Sequence, residues 1–235
     1  MSCNTTHETL QKPQVWQALK WAIDYDSIQK NILSLTYNVH QSFLPSGFPA
    51  ALDDAPFHRD VAKAKALLAK ARATRTAFDI TLEHYSMQPY PDIAQAIQTQ
   101  LSTIGIKVSL IASENRQVLT KMHARQHQLA ITSWGADYFD PNSNTEAFYV
   151  NTDNSAGARN HTLAWRCGWS DEEFNQLTAQ ALHESDPTQR LALYQKIQQL
   201  HRKKSPFIFM MQQIQTTAYA KNLTDVHMTV LEQWP

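Results

Sequence analysis

The stretch Trp134-Gly135-Ala136-Asp137-Tyr138 combines one carboxylate with two flanking aromatic side chains. Asp137 can accept hydrogen bonds from a ligand ammonium, and Trp134 and Tyr138 can wall a site with stiff, low-entropy surface. The plainer reading is an indole in the core and a carboxylate capping a turn, and spacing alone leans that way. Asp140 follows within an Asp-Pro-Asn turn signal. Two carboxylates this close raise a hydrolase using Asp137 or Asp140, but no general-acid partner can be named for either. His123 and His127 are four apart, a spacing that would let two imidazoles meet one ion on a helix face. No third ligand accompanies them, so a solvated helix end is expected and no metal. Arg202-Lys203-Lys204 reads as a cationic helix terminus stabilised by the dipole. The sequence contains no Gly-x-Ser-x-Gly, no His-Glu-x-x-His and no cysteine with a plausible base, so nothing specific supports an enzyme.

Composition narrows the choices further. Lys+Arg and Asp+Glu number 21 each in 235 residues, which leaves no basic field for nucleic acid or an anionic membrane. The 5 glycines form no phosphate-cradling loop, so nucleotide cofactors have no evident seat. Cys3 and Cys167 make no metal-binding spacing, and Cys3 sits in a segment expected to fray. No run of about 18 apolar residues occurs. The opening Met1-Ser2-Cys3-Asn4 lacks the pattern of an export signal, so none is expected in the chain as written.

The periodicity supplies the elements that would position Asp137. Val15, Trp16, Leu19, Ala22 and Ile23 form a helical stripe entered through Pro13. Asp26 is placed to cap a second helix carrying Ile28, Ile32 and Leu35, with Gln29 at the capping-box position. From Phe43 to Pro56 an ordered surface loop is expected, and then a helix through Val61, Ala64, Leu67, Leu68 and Ala71. Phe78, Ile80 and Leu82 alternate with polar residues as in a strand. A helix follows on Tyr90, Ile93, Ile97, Leu101 and Ile104, ending at Gly105. Strand 106–110, a helix through Val118, Leu119 and Met122, and strand 129–134 complete a strand-helix alternation, which implies a small parallel sheet. A polar loop from Gly135 to about Ser170, with a short helix near Glu146 to Tyr149, is long enough to be suspected of function. Two late helices carry Phe174, Leu177 and Ala181, then Leu191, Tyr194, Ile197 and Leu200, before an apolar strand at 207–211.

Six segments, in order, resemble one family. Val15-Trp16-Gln17-Ala18-Leu19-Lys20-Trp21-Ala22-Ile23-Asp24 is similar to its Val-Arg-Gln-Ala-Leu-x-x-Ala-Ile-Asp signature, with Trp16 in place of the arginine. Phe43-Leu44-Pro45-Ser46-Gly47, the helix 62–68, and Ala96-Ile97-Gln98-Thr99-Gln100-Leu101 running into 104–108 follow. Trp134 through Pro141 and Arg190-Leu191-Ala192-Leu193-Tyr194 complete the set. The family is the extracellular solute-binding proteins of ABC importers for oligopeptides, dipeptides, opines and, in some branches, nickel.

The resemblance implies an α/β fold, one lobe of a periplasmic-binding-protein-like pair, with a small mainly parallel sheet flanked by helices. It covers only the C-terminal half of such a protein. Residues 4–206 match the second lobe, and 207–235 match the segment that returns toward the first. It further implies a non-enzymatic binding component for peptides or related solutes, periplasmic, working with ABC transporter membrane subunits and needing no cofactor. The ligand-binding residues carried over are Trp134, Asp137 and Tyr138, with Asp137 at the position that pairs with a ligand α-ammonium. A separate first-lobe polypeptide is an expected partner, and a nonfunctional truncated remnant is the other reading.

Overall fold

Ser2 and Cys3 do not fray: they form a short strand, β1 (Ser2–Cys3), in which Cys3 is fully buried. The computed structural model describes residues 1–71, 78–216 and 218–224. A 3-10 turn at Glu8–Gln11 leads into α1 (Pro13–Ala22), α2 (Tyr25–Asn31), β2 (Tyr37–Val39), α3 (Val61–Ala71) and β3 (Phe78–Tyr85). Next come α4 (Tyr90–Ser102), β4 (Ile106–Ser113), α5 (Asn115–His123) and β5 (Leu129–Ile131). The chain continues through α6 (Pro141–Tyr149), α7 (Leu163–Arg166), α8 (Glu172–His183), α9 (Pro187–Lys204) and β6 (Met211–Gln213).

The main sheet has the order β1-β5-β3-β4. β3 runs parallel to β4, from Phe78 opposite Ile106 to Tyr85 opposite Ser113, and parallel to β5, with Leu82 opposite Leu129. Only the short edge strand β1 is antiparallel, so the sheet is small and mainly parallel, flanked by helices as expected. The apolar stripe of α4, Ile93, Ala94, Ile97 and Leu101, packs into the principal core with Ile80, Leu82 and Ile106. Met122 and Val118 of α5 form a smaller cluster with Tyr85 and Ala130 on alternate strand positions. Gly105 ends this part of the chain at φ +83°, a conformation that suits glycine. Glu83, expected on a polar face, is buried, and Lys121 neutralises it at 2.9 Å.

Several local expectations are corrected. Asp24, not Asp26, caps α2 by accepting from the Ser27 N–H, because Asp26 already lies inside the first turn. The helix ends at Asn31, and Leu35 occupies an exposed turn at φ +68°, closed by Thr36 on the Leu33 carbonyl. β5 stops at Ile131, three residues short of the expected end. The 43–56 loop is not wholly superficial: Phe43, Leu44 and Phe48 are buried. Its backbone is organised by buried Gln198 of α9, which accepts from Ser42 Oγ and the Leu52 N–H and donates to the Ala50 carbonyl. Arg202, Lys203 and Lys204 do stand in the last turn of α9, as expected. Arg202 and Lys204 pair in addition with Asp54 and Glu173, while buried Lys20 reaches the His201, Arg202 and Ser205 carbonyls from α1.

The apolar run after Pro206 is extended and buried, but its ordered ladder has two parts. Ile208 N–H donates to the Met1 carbonyl and Cys3 N–H to the Pro206 carbonyl, which joins this run to β1. β6 then pairs with β2, Met211 opposite Val39, as a separate two-stranded sheet. Of the returning segment expected over 207–235, residues from 225 onward lie outside the described residues.

The loop before α8 closes on the N-terminal segment at Gly168, where φ is +62° and an added Cβ would stand 2.3 Å from Thr6 Cγ2. Thr5 bonds the neighbouring Cys167 carbonyl through both its N–H and its hydroxyl, so the backbones cannot easily separate. Gly168→Ala is expected to cost about 2–4 kcal/mol, from left-handed strain plus overpacking. Urea unfolding of Gly168→Ala with and without Thr6→Ser checks the clash, since removing the Thr6 methyl should recover part of the loss.

Candidate functional site

β5 delivers the chain to the carboxyl end of the parallel strands, where open α/β sheets bind ligands. There Ile131 passes into Thr132, Ser133 and Trp134, which line a groove of about 270 Å³. Its opposite wall comes from Phe207–Gln213, and Phe43, Tyr90 and Phe148 contribute apolar surface.

Trp134 is 41% exposed, so the indole is not core filling. Its Nε1 donates to Asn144 Oδ1 at 3.2 Å, and its ring meets Phe148 edge-on at 5.9 Å. Asn144 in turn donates to the Phe43 carbonyl at 2.6 Å, which ties α6 to the 43–56 loop. Asp137 is exposed, and its N–H donates to Ser143 Oγ. Tyr138 is also exposed, and its hydroxyl accepts from Asn142 Nδ2 at 3.3 Å. The structure thus brings Trp134 into the groove wall, whereas Asp137 and Tyr138 follow it on the surface and are not part of that wall.

The expected 135–170 loop holds two helices, α6 and the single-turn α7, with irregular backbone before, between and after them. Asp140 caps α6 through the Asn142 N–H, and Pro141 takes the first helical position. That Asp-Pro entry was the available signal for α6. The polar run Asn142-Ser143-Asn144-Thr145 hid it, because every one of these residues is buried by hydrogen bonding rather than by apolar character. Arg190 holds both Asp140 oxygens at 2.8 and 3.0 Å. Partial burial pushes this carboxyl up, but the bonds from Arg190 and the Asn142 N–H outweigh it and keep Asp140 below the usual range. A carboxylate so committed is a structural ion, and the geometry gives the hydrolase reading no support.

His123 and His127 do not share a face. α5 ends at His123, Arg125 turns through φ +56°, and His127 enters the interior, so the expectation of two solvated helix-end imidazoles fails for His127. Its Nε2 lies 3.9 Å from Cys167 Sγ. Burial first, and then mutual repulsion, pushes the Cys3 thiol up to about 12. Burial likewise pushes Cys167 up to about 12, which leaves neither as a thiolate nucleophile at neutral pH.

Residues 1–156, which include the whole Trp134–Tyr138 stretch, match the model of bacterial extracellular solute-binding proteins, family 5 middle. The chain belongs to this family. Among curated relatives, di/tripeptide-binding protein 2 of Pseudomonas aeruginosa is 27% identical over 235 residues, covering 96% of this chain and 42% of its own. Dipeptide-binding protein DppE of Bacillus subtilis is 29% identical over 216 residues, covering 87% of this chain and 38% of its own. Among solved structures, the periplasmic binding protein DppA of Helicobacter pylori, in complex with the peptide STSA, superposes with a TM-score of 0.79 at 26% identity. That match covers 89% of this chain and 40% of the other. The chain therefore spans about two fifths of the length of these family 5 relatives. The relatives are named for binding, and members of the family are solute-binding proteins rather than enzymes.

Burial lowers the His127 imidazole from 6.5 to about 4. Between those values the unfolded chain takes up a proton that the folded chain excludes, so stability falls as pH drops from 6.5 toward 4 and is unaffected by this group above 6.5. The loss attributable to His127 is on the order of 3 kcal/mol at full extent. Urea midpoints at pH 7 and 4.5 should differ less in His127→Gln than in the wild type.

Proposed function

We propose that this chain is the second lobe of a solute-binding protein that captures small peptides for an ABC importer. Residues 4–206 make up the lobe, and 207–235 run toward the first lobe. The observation that carries this reading is the exposed ledge after β5: Trp134, Tyr138 and Phe139 are each more than 40% exposed within six residues, around the Asp137 carboxylate. Aromatic surface of that extent is costly in water unless something covers it. A peptide backbone against Trp134 and Tyr138, with its ammonium on Asp137, covers apolar and polar parts together. The names of the relatives, and the peptide in the DppA complex, support the ligand class.

Binding in this reading is closure without covalent chemistry: a first lobe folds over the ligand, and affinity depends on the population of the closed state. The working partners are the importer's membrane subunits and a first lobe, supplied by the same or a separate polypeptide. The family's extracellular character supports a periplasmic or cell-surface setting.

Thermal unfolding of the chain with and without a mixed di- and tripeptide pool tests the proposal. A ligand at one hundred times its Kd adds about 2.7 kcal/mol by mass action and raises the midpoint. The expected result is a saturable rise, lost in Asp137→Ala. If the chain alone shows no shift, the same titration is repeated with the first lobe of a family member added. Silence there as well defeats the reading.

A further inference from the structure

The zero net charge of the chain conceals a segregation. Residues 58–75 hold six of the 21 Lys and Arg but one of the 21 Asp and Glu, so this stretch is strongly basic and the rest of the chain correspondingly acidic. Its helical part is α3, whose charged residues are Lys63, Lys65 and Lys70, with no carboxylate among them. Arg59 stands just before the helix, and Arg72 and Arg75 follow in the sequence, outside the described residues.

The packing of α3 turns these cations outward. The helix buries Ala64, Leu68 and Ala71 against the core and lies on α1, which leaves Lys63, Lys65 and Lys70 exposed. At about 100° per residue, Lys63 and Lys70 flank one side of the solvent face and Lys65 the other, with Ala62, Ala66 and Ala69 between them. Side chains that short leave the ammonium groups as the outermost atoms of the face. Lys12 extends the cationic line by donating to the Ala71 carbonyl at the end of the helix, and Lys63 lies over the Trp21 ring at 3.3 Å. Asp60, the single acid of the stretch, is engaged at the helix start, where it accepts from the Lys63 N–H. Among the described residues no carboxylate forms an ion pair with Arg59, Lys63, Lys65 or Lys70, although Lys121, Arg190, Arg202 and Lys204 all have carboxylate partners. Uncompensated charge of one sign on one face attracts an anionic partner.

The kind of partner follows from what the face lacks. No large apolar or aromatic side chain is exposed on α3, so the buried anchor on which a shape-specific protein interface centres has no candidate there. Flexible lysines around a shallow floor suit a surface whose charges can move to meet them, such as the headgroups of an anionic bilayer. We infer that the α3 face rests on anionic phospholipid headgroups and holds the chain at a membrane surface by charge. The inference makes no use of the Trp134 groove and is independent of the peptide reading.

Co-sedimentation of the full chain with vesicles tests it. At about 0.05 M salt, vesicles of equal parts phosphatidylcholine and phosphatidylglycerol should retain the protein, vesicles of phosphatidylcholine alone should not, and about 0.5 M salt should release it. Each cation near such a surface is worth about fivefold in partitioning, so Lys63→Gln, Lys65→Gln and Lys70→Gln combined should weaken retention by about tenfold or more. Lys63→Arg, Lys65→Arg and Lys70→Arg combined should keep it. Lys30→Gln, Lys107→Gln and Lys196→Gln combined, an equal loss of charge at exposed positions outside α3, should leave it nearly unchanged. Matching unfolding midpoints establish that the variants are folded. Equal retention by the two vesicle types, no retention by either, or an equal loss in the two glutamine triples overturns the inference. Retention on immobilised polyglutamate without retention on the vesicles gives the face to an acidic protein and overturns the lipid assignment as well.

Discussion

The bond between Tyr149 Oη and His201 Nδ1, 2.9 Å long and buried from water, is the point on which the later two-thirds of the chain converges. Tyr149 stacks on Phe174 at 4.8 Å and meets Phe43 edge-on at the same distance. One side chain thereby fixes α6 against α8, α9 and the 43–56 loop. Burial drives the tyrosine hydroxyl well above its ordinary range. Burial, with the charges of Lys20 and Arg202 behind it, drives the histidine well below its own. Both groups are therefore neutral, and a neutral pair avoids the heavy desolvation cost of a buried charge. The adjacent Phe148 carries this rigidity to the groove, where it packs edge-on against Phe207 and Phe209 and backs the Trp134 indole.

A rigid floor under a half-exposed indole is what ligand recognition needs, because an aromatic already held in place loses little entropy when covered. The hydrogen-bond chain Trp134 to Asn144 to the Phe43 carbonyl does the same on the polar side. The ledge is consequently positioned by α6, an element with hardly any apolar face, whose side chains serve as backbone substitutes for the loops around it.

That division explains which parts of the molecule were legible in the amino-acid sequence. α1, α3, α4 and the paired strands β3 and β4 bury apolar residues at the period of their own backbone, and they lie where periodicity places them. The small mainly parallel sheet follows from their alternation. α6 was illegible beyond its last turn because its burial is polar. β1 was illegible because two residues carry no period, and its stability comes from partners at 128–130 and 206–208. Position 24 rather than 26 caps α2 because capping depends on where the chain turns, which residue types alone do not fix. Within the candidate site, Trp134 was identified by chemistry and sits in the groove wall, while Asp137 and Tyr138, expected beside it, stand on the surface outside that wall because β5 ends at Ile131 and the chain turns toward α6.

The pairing of Met1–Cys3 with Pro206–Ile208 has a consequence for how such a unit is handled by evolution and by engineers. The intervening two hundred residues leave and return through adjacent, mutually bonded strands. An excursion of that kind can be exchanged for another of different size or specificity without changing the separation of whatever its two ends are joined to. Recombination at this seam would replace the groove and the ledge beside it as a cassette, and the joint would keep its own hydrogen bonds throughout.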